Sequence, residues 1–250
     1  MKHLVILSVL LGLACGGGDG GSSGGDKGTA AEAAAPLGNA TITGVVHFSG
    51  AVPTNPAIDM SEEPDCVAKH EGTPRDPIVA VTGGKLANVF VRIVGGLPDG
   101  PYPTPSAPAR IDQDGCLYHP RVLGVMVGQN LEIDNSDPLL HNIKAVPTKN
   151  RPFNISQPRA GMKTTRTFKT AEIMVPIECN VHGWMHAFVG VVEHPYFATS
   201  GEDGTFSISG LPAGTYQLEA WHETLGTRTG EVTVAEDGTA SVEFTFGEGS

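Results

Sequence analysis

The chain has 250 residues, of which 40% are hydrophobic, and it contains 33 glycines and 19 prolines. Such a composition can form a buried core but is rich in turns and poor in helical periodicity, so it predicts an all-β architecture of one or two domains. The formal net charge is −11. An acidic surface repels phosphate backbones, which argues against nucleic acid as a partner, and it would attract a basic protein partner.

The first 14 residues have the features of a secretory signal peptide. Lys2 precedes an almost wholly apolar run from Leu4 to Ala14, which is too short to remain as a membrane-spanning anchor. The residues before Cys15 resemble a bacterial lipobox, with Gly12 where leucine is usual. We therefore predict that Cys15 carries a diacylglycerol anchor, whereas the alternative is an ordinary cleavage site before Cys15.

Residues 15–38 contain almost no large apolar side chain, so we expect a lipid-anchored disordered tether. The predicted location is the periplasm or the cell surface, with the protein lipid-anchored to a bacterial membrane and the outer membrane favoured.

The N-terminal β segment, residues 39–110, contains two runs typical of strands. Thr41 to Phe48 alternates between apolar and polar residues, and Lys85 to Val94 forms a second such run. A polar stretch from Pro56 to Asp76 lies between them, and a proline-rich crossing follows Pro98.

Two further cysteines, Cys66 and Cys116, lie outside the leader and are the natural candidates for pairing with each other. In an exported protein the expected outcome is one disulfide. A second metal site is the alternative, because Cys66 with His70 and Cys116 with His119 would supply two thiolates and two imidazoles at spacings near those of zinc sites.

A loop near residue 180 brings three soft or borderline metal ligands together: Cys179, His182 and Met185. Cysteine with two histidines and a weakly held axial methionine is the ligand set of type 1 (blue) copper sites. His141 is the best candidate for the second histidine, 179 − 141 = 38 positions upstream. His186 follows Met185 directly, so the identity of the axial ligand stays open.

Two further residues support this predicted copper site. Asn142, directly after His141, is placed to fix the Cys179 loop by hydrogen bonding. Trp184 is expected to be an exposed apolar neighbour of His182.

The pattern His141-Asn142 followed by Cys179-x2-His182-x2-Met185 resembles the cupredoxins, the plastocyanin and amicyanin family of blue-copper proteins. The resemblance covers roughly residues 111–194, and the cupredoxin-like copper domain is predicted to span residues 111–197. The resemblance implies a Greek-key β-sandwich, one type 1 copper ion and one-electron transfer. It also implies that His182 lies nearest the surface and acts as the electron gateway.

The C-terminal segment, residues 198–250, carries the turn Gly210-Leu211-Pro212-Ala213-Gly214 and a hairpin at Asp237-Gly238. It resembles the carboxypeptidase regulatory-like, prealbumin-type β-sandwich. The first strand that this family expects matches Gly44 to Phe48, so residues 40–95 and 199–247 are predicted to share one sandwich with the copper module inserted. Three consecutive pieces are the competing arrangement.

The sequence lacks a Ser-His-Asp elbow, a His-Glu-x-x-His motif and a phosphate loop, so no enzymatic activity is predicted. The predicted function is single-electron transfer between periplasmic or membrane redox partners, such as a cytochrome or a membrane oxidoreductase. Copper storage or delivery and a metal-free scaffold or adhesion module are the alternatives.

Overall fold

The computed structural model describes residues 34–247, which belong to one unit. The described part contains eighteen strands and one four-residue helix, α1 (Pro64–Val67), so the prediction of an all-β fold is confirmed. In chain order the strands are β1 (Ala40–Ser49), β2 (Val81–Thr82), β3 (Lys85–Leu86), β4 (Phe90–Gly95), β5 (Ala109–Asp114), β6 (Leu117–His119), β7 (Val122–Met126), β8 (Leu131–Asn135), β9 (His141–Ala145), β10 (Phe153–Gln157), β11 (Met162–Arg166), β12 (Glu172–Glu178), β13 (His186–Val192), β14 (Phe197–Thr199), β15 (Thr205–Leu211), β16 (Gly214–His222), β17 (Gly226–Val234) and β18 (Thr239–Gly247).

The predicted signal peptide, the lipidation site Cys15 and most of the predicted tether lie outside the described residues. Within residues 34–247, no helix has the length and apolar character needed to cross a membrane.

One sandwich, here called the outer sandwich, takes strands from both ends of the described chain. Its first sheet has the order β15-β1-β3-β2 with β18 also paired to β1, and its second has the order β14-β4-β16-β17. The parallel pairing of β1 with β18 joins residues 41–49 to residues 239–247. Fully buried apolar side chains from both sheets form one core, including Ile42, Val91, Ile93, Leu218 and Phe246.

The other sandwich, here called the inner sandwich, takes all its strands from residues 109–192. Its two sheets have the orders β10-β9-β12-β13-β7 and β11-β8-β5-β6. Side chains that alternate inward along these strands meet in a second core, including Ile133, Ile143, Val175 and Val189.

The two sandwiches approach each other closely where β4 and β14 face β7 and β13. A separate apolar cluster with Phe90 and Val122 fills this contact. Gly124 and Gly190 are paired across β7 and β13, and a Cβ atom on either would come within 2.3 to 2.7 Å of the rings of Phe197 or Phe90. The absence of a side chain at both positions therefore permits the contact.

The run from Lys85 to Val94 forms two strands, so its prediction as one strand is wrong. The chain bends at Asn88, whose φ is +60°, and β3 and β4 then enter different sheets of the outer sandwich. Ser200 holds the bend, because its carbonyl accepts the Asn88 N–H at 3.1 Å and its hydroxyl accepts the Val89 N–H at 3.0 Å.

The piece from residue 34 to residue 38 is attached to the folded chain at Ala35 and Gly38, so the expectation of a free tether does not hold for it. The Ala35 side chain is buried, and its N–H donates to the carbonyl of Pro101 at 3.0 Å. A Cβ atom at Gly38 would lie 2.2 Å from the Leu211 carbonyl oxygen, so the close approach requires glycine there.

Residues 56–76, here called the cap, close on themselves and cover one end of the inner sandwich. The Asp76 N–H donates to the Pro56 carbonyl at 2.9 Å, which joins the two ends of the cap. Helix α1 lies within it, and a disulfide links Cys66 to Cys116 in the turn between β5 and β6. A small apolar cluster that includes Ile58 and Met60 fills the space beneath.

Candidate metal centre

Two neighbouring strands of the inner sandwich position the predicted ligands. His141 is the first residue of β9, and Cys179 follows the last residue of β12. These strands are antiparallel neighbours, with Glu178 opposite Lys144. The loop from Cys179 to Met185 is tightened by a hydrogen bond from the Met185 N–H to the His182 carbonyl at 3.0 Å, which returns His182 toward His141.

The side chains of His141, Cys179 and His182 converge on one buried point. Their ligand atoms all lie within 4.8 Å of one another. The two Nδ1 atoms are 2.9 Å apart, and the Cys179 Sγ is 4.0 Å from Nδ1 of His182. Because bonds from a metal to imidazole nitrogen and thiolate sulfur are about 2.0 and 2.3 Å long, the ligand atoms of one ion lie roughly 3 to 4 Å apart. The observed separations fit a single soft metal ion.

The environment favours the thiolate form of Cys179. Burial by itself would raise the pKa of this thiol, but hydrogen bonding to His141 and His182 outweighs burial and lowers the pKa to about 5. The His182 backbone N–H also donates to the sulfur at 3.3 Å. A thiolate at neutral pH is the form that binds metal, so the site is prepared for coordination without prior deprotonation.

His141 is oriented from its far side by a buried carboxylate that the sequence analysis missed. Its Nε2 lies 2.9 Å from Oδ2 of Asp137, which leaves Nδ1 facing His182 and Cys179. Burial lowers the pKa of His141, but the hydrogen bonds to Cys179 and Asp137 outweigh burial and raise it. A carboxylate behind a ligating histidine fixes the ring and its tautomer.

Asp137 is itself held by several donors. Its Oδ1 lies 2.8 Å from Nζ of Lys69 in the cap and accepts the Gly115 N–H at 3.0 Å. Its Oδ2, which faces His141, also accepts the Cys116 N–H at 2.8 Å. Burial would raise the pKa of Asp137, but these donors hold it at about 2. The position of Asp137 four residues before His141 was a usable sequence signal, whereas nothing in the sequence pointed to Lys69.

The two supporting residues named from the sequence both contact the loop. Oδ1 of Asn142 accepts the Asn180 N–H at 2.6 Å and lies 3.4 Å from the Cys179 sulfur. The ring of Trp184 is centred 5.2 Å from that of His182, and its indole N–H donates to the Cys116 carbonyl at 3.0 Å. Trp184 is half-buried, so the expectation that it is exposed is wrong.

Met185 is fully buried in the apolar cluster that also contains Cys179, while His186 starts β13 and is half-buried. Axial coordination by Met185 stays a prediction.

His182 is not at the surface, which corrects the role of direct electron gateway that the cupredoxin resemblance implied. The residue is only 2% exposed. Its Nε2 points at the cap and lies 3.8 Å from the Cys66 sulfur. The cap therefore covers this side of the His182 ring.

The expected disulfide is present between Cys66 and Cys116, with the sulfurs 2.01 Å apart. Both thiols of the alternative zinc-type site are therefore bonded to each other. The two histidines of that alternative have other surroundings: His70 Nε2 is 2.8 Å from the Gly115 carbonyl, and His119 is exposed.

Residues 186–247 match the family model of the carboxypeptidase regulatory-like domain. This match confirms the resemblance seen in the C-terminal segment, although it begins earlier, at His186. No curated protein matches the chain.

Several solved structures resemble parts of the chain. A purple cupredoxin from Nitrosopumilus maritimus is 22% identical and covers 33% of this chain and 98% of its own, with a TM-score of 0.29. A variant of amicyanin in its Cu(I) form is 19% identical, covers 40% and 97%, and has a TM-score of 0.31. The copper-containing nitrite reductase (NirK) from Thermus scotoductus SA-01 is 18% identical, covers 60% and 28%, and has a TM-score of 0.33. The similarity of this chain to cupredoxins is therefore weak and partial.

Proposed function

We propose that this protein is an exported type 1 copper protein that carries single electrons between redox partners. The observation that supports this most strongly is the convergence of His141 Nδ1, Cys179 Sγ and His182 Nδ1 within 4.8 Å of one another in a buried site. This is the soft, three-ligand set that suits blue copper, with Met185 as the proposed axial ligand. When bound, copper supplies a one-electron couple between Cu(I) and Cu(II).

The residues around the site hold the ligand side chains in fixed positions. Asp137 holds the His141 ring, and Asn142 binds the backbone of the Cys179 loop. Ligands that are buried and tied by hydrogen bonds need little rearrangement when the charge of the site changes. Such rigidity favours electron transfer over turnover of a substrate, so we propose no enzymatic activity.

The proposed electron route leaves the site through the atoms that cover His182. The Trp184 ring and the Cys66 sulfur are in contact distance of the imidazole, and Trp184 is the partly exposed member of the pair. The net charge of −11 favours a basic docking face on the partner, such as a cytochrome or a membrane oxidoreductase. Export and a lipid anchor at Cys15 complete the proposal, and they rest on the sequence of the first 15 residues.

The decisive experiment is an absorption and electron paramagnetic resonance spectrum of the full chain after addition of Cu(II). We expect an intense thiolate-to-copper band and narrow copper hyperfine splitting, both lost in Cys179→Ser. Val181→Ala is the matched control, because Val181 lies between two ligands but is 42% exposed, and it should keep the spectrum. A colourless protein, or an ordinary tetragonal copper signal, would remove the electron-carrier proposal.

Copper delivery is a second candidate, favoured by the Cys66–Cys116 disulfide, whose Cys66 sulfur lies 3.8 Å from the ligand His182, because its reduction would free sulfur ligands beside the copper site. It predicts that Cu(I) passes readily to a weak chelator, whereas an electron carrier retains its copper and shows a reversible redox couple with fast self-exchange.

A further inference from the structure

A second group of potential metal ligands lies on the other side of His182. The Sγ atoms of Cys66 and Cys116 and a ring nitrogen of His182 all lie within 4.8 Å of one another. All three residues are buried. The nitrogen nearest this group is Nε2, 3.8 Å from the Cys66 sulfur, whereas Nδ1 faces His141 and Cys179. The His182 imidazole therefore lies between His141 and Cys179 on its Nδ1 side and the two disulfide sulfurs on its Nε2 side.

The Nε2 atom has a weak partner in this environment. A disulfide sulfur is a poor hydrogen-bond acceptor, and within the described residues Nε2 forms no other hydrogen bond. His182 is only 2% exposed, so bulk water does not replace the missing partner. A buried polar nitrogen directed at two sulfur atoms indicates a position that can be occupied by a metal ion.

We propose that reduction of the Cys66–Cys116 disulfide creates a second metal site, in which Cys66, Cys116 and Nε2 of His182 bind one Cu(I) ion. Two thiolates with one imidazole form a soft, low-coordinate set, which suits Cu(I). This inference rests in part on the proposed function, because His182 would serve both sites through its two nitrogens.

The chemistry balances with one external reductant, a dithiol. The dithiol transfers two electrons and two protons to the disulfide, which yields the Cys66 and Cys116 thiols and leaves the reductant as a cyclic disulfide. Binding of Cu(I) then releases the two thiol protons and, with Nδ1 on the first ion, the Nε2 proton. The oxidation state of copper does not change in this step.

Contacts other than the disulfide hold the two cysteines near each other after reduction. Lys69, three residues after Cys66, forms an ion pair with the buried Asp137 at 2.8 Å, and Asp137 also accepts the Cys116 N–H at 2.8 Å. His70 Nε2 is 2.8 Å from the Gly115 carbonyl. The cap therefore keeps two attachments to the turn that carries Cys116, one through Lys69 and Asp137 and one through His70.

These contacts also separate the inference from the zinc-type site considered from the sequence. His70 and His119 are used or directed elsewhere, and His182, which is distant in sequence from both cysteines, takes their place. The proposed site exists only in the reduced protein, so the chain would hold one Cu(I) ion when oxidised and two when reduced.

The experiment measures Cu(I) stoichiometry in the full chain with Cys15→Ser as the common background, which removes the one cysteine outside the two sites. The protein is used oxidised, or reduced with dithiothreitol that is then removed anaerobically, and it is titrated with Cu(I) against a bidentate chelator of known affinity. We expect one ion per oxidised chain and two per reduced chain. Cys66→Ser with Cys116→Ser should return the reduced value to one.

Cys179→Ser separates this inference from the proposed function. In that background the reduced chain should still bind one Cu(I) ion, even if the first site is lost. X-ray absorption at the copper edge should then show two sulfur atoms at about 2.3 Å and one nitrogen atom. Absence of the nitrogen would remove His182 from the site and overturn the proposal in this form.

Three other results would also overturn it. Equal Cu(I) capacity in the oxidised and reduced chains would show that the freed thiols bind no copper. An extra ion that persists after both cysteines are replaced would place it elsewhere. Loss of the near-ultraviolet circular dichroism on reduction would show that the cap does not hold the cysteines together without the disulfide.

Discussion

The two sandwiches differ in what they bury. Among the described residues, the buried polar side chains of the inner sandwich and its connecting loops outnumber those elsewhere by nine to two. The nine are Gln113, Arg121, Asn135, Asp137, His141, Asn142, Gln157, Glu172 and His182, and the two outside residues 109–192 are Ser200 and His222. The outer sandwich has an almost purely apolar core.

This difference indicates that the outer sandwich mainly supplies stability and the inner sandwich holds the candidate metal site. Burying a polar group costs free energy unless it is hydrogen-bonded, so each buried polar residue of the inner sandwich needs dedicated partners. Asn135 and Gln157 are held in this way, with the Asn135 amide donating to the Gln157 carbonyl at 2.8 Å. Outside the inner sandwich, among the described residues, only Ser200 and His222 have this requirement, so the outer core can provide stability without specifying a site. Four changes test this division.

The largest effect is expected from Phe246→Ala in the outer core. Phe246 is fully buried, and the Arg228 guanidinium carbon lies 5.0 Å from its ring centre. Truncation leaves a cavity and should lower the free energy of unfolding by about 3 to 5 kcal/mol, measured by chemical denaturation. The folded Phe246→Ala variant should keep the absorption and electron paramagnetic resonance spectrum expected for bound copper. Val94→Ala, at a 42% exposed site, is the control, and a lost spectrum in folded Phe246→Ala would contradict the division.

A slightly smaller effect is expected where the two sandwiches are joined by charge. The Arg121 guanidinium lies 2.6 Å from Asp76 and 2.6 Å from Glu223, and Arg121 is only 8% exposed. Arg121→Met leaves two carboxylates without their cation, which should cost about 3 kcal/mol in denaturation experiments.

A triple variant tests whether the unpaired carboxylates cause the loss of stability. Adding Asp76→Leu and Glu223→Met to Arg121→Met removes the unpaired charges and should recover most of the lost stability. If the triple variant is as unstable as the single one, attraction within the ion-pair network itself provides the stability.

Acid should weaken the inner sandwich through Glu172. Burial alone would raise the pKa of this carboxyl group, but hydrogen bonds from Thr148, Lys149 and Asn150 hold the pKa at about 2, below the ordinary 4.5. A lowered pKa stabilises the folded state above pH 4.5, and this contribution, roughly 2 kcal/mol, is lost as the pH falls from about 4.5 toward 2. Urea denaturation across that range should show a flatter profile for Glu172→Gln, whereas the exposed Glu231→Gln should follow the parent chain.

The smallest effect is expected from Lys163→Ala on the surface of the inner sandwich. Lys163 is 55% exposed and lies 3.0 Å from Glu132 and 3.2 Å from Asp134. Exposed ion pairs contribute less than about 1 kcal/mol, and added salt should reduce the difference further. A loss well above that value, unchanged at high salt, would show that polar groups of this sandwich matter even at its surface.

Local residue patterns were sufficient to predict the all-β fold and most of the candidate metal ligands. Period-two alternation along runs such as Thr41 to Phe48 indicates strands, and the all-β fold followed from it. The loop from Cys179 to Met185 and the distant His141 could also be named, because the required ligand chemistry limits the residue types.

How the candidate metal centre is enclosed could be read only from the tertiary structure. The cap covers His182 through Cys66 and supports His141 through Lys69 and Asp137, contacts that join residues 116, 68 and 4 positions apart in the chain. Only the last of these is local enough to leave a sequence signal. A pattern in sequence indicates which residue types can bind a metal, but the burial and solvent access of those residues depend on the long-range packing of distant segments against them.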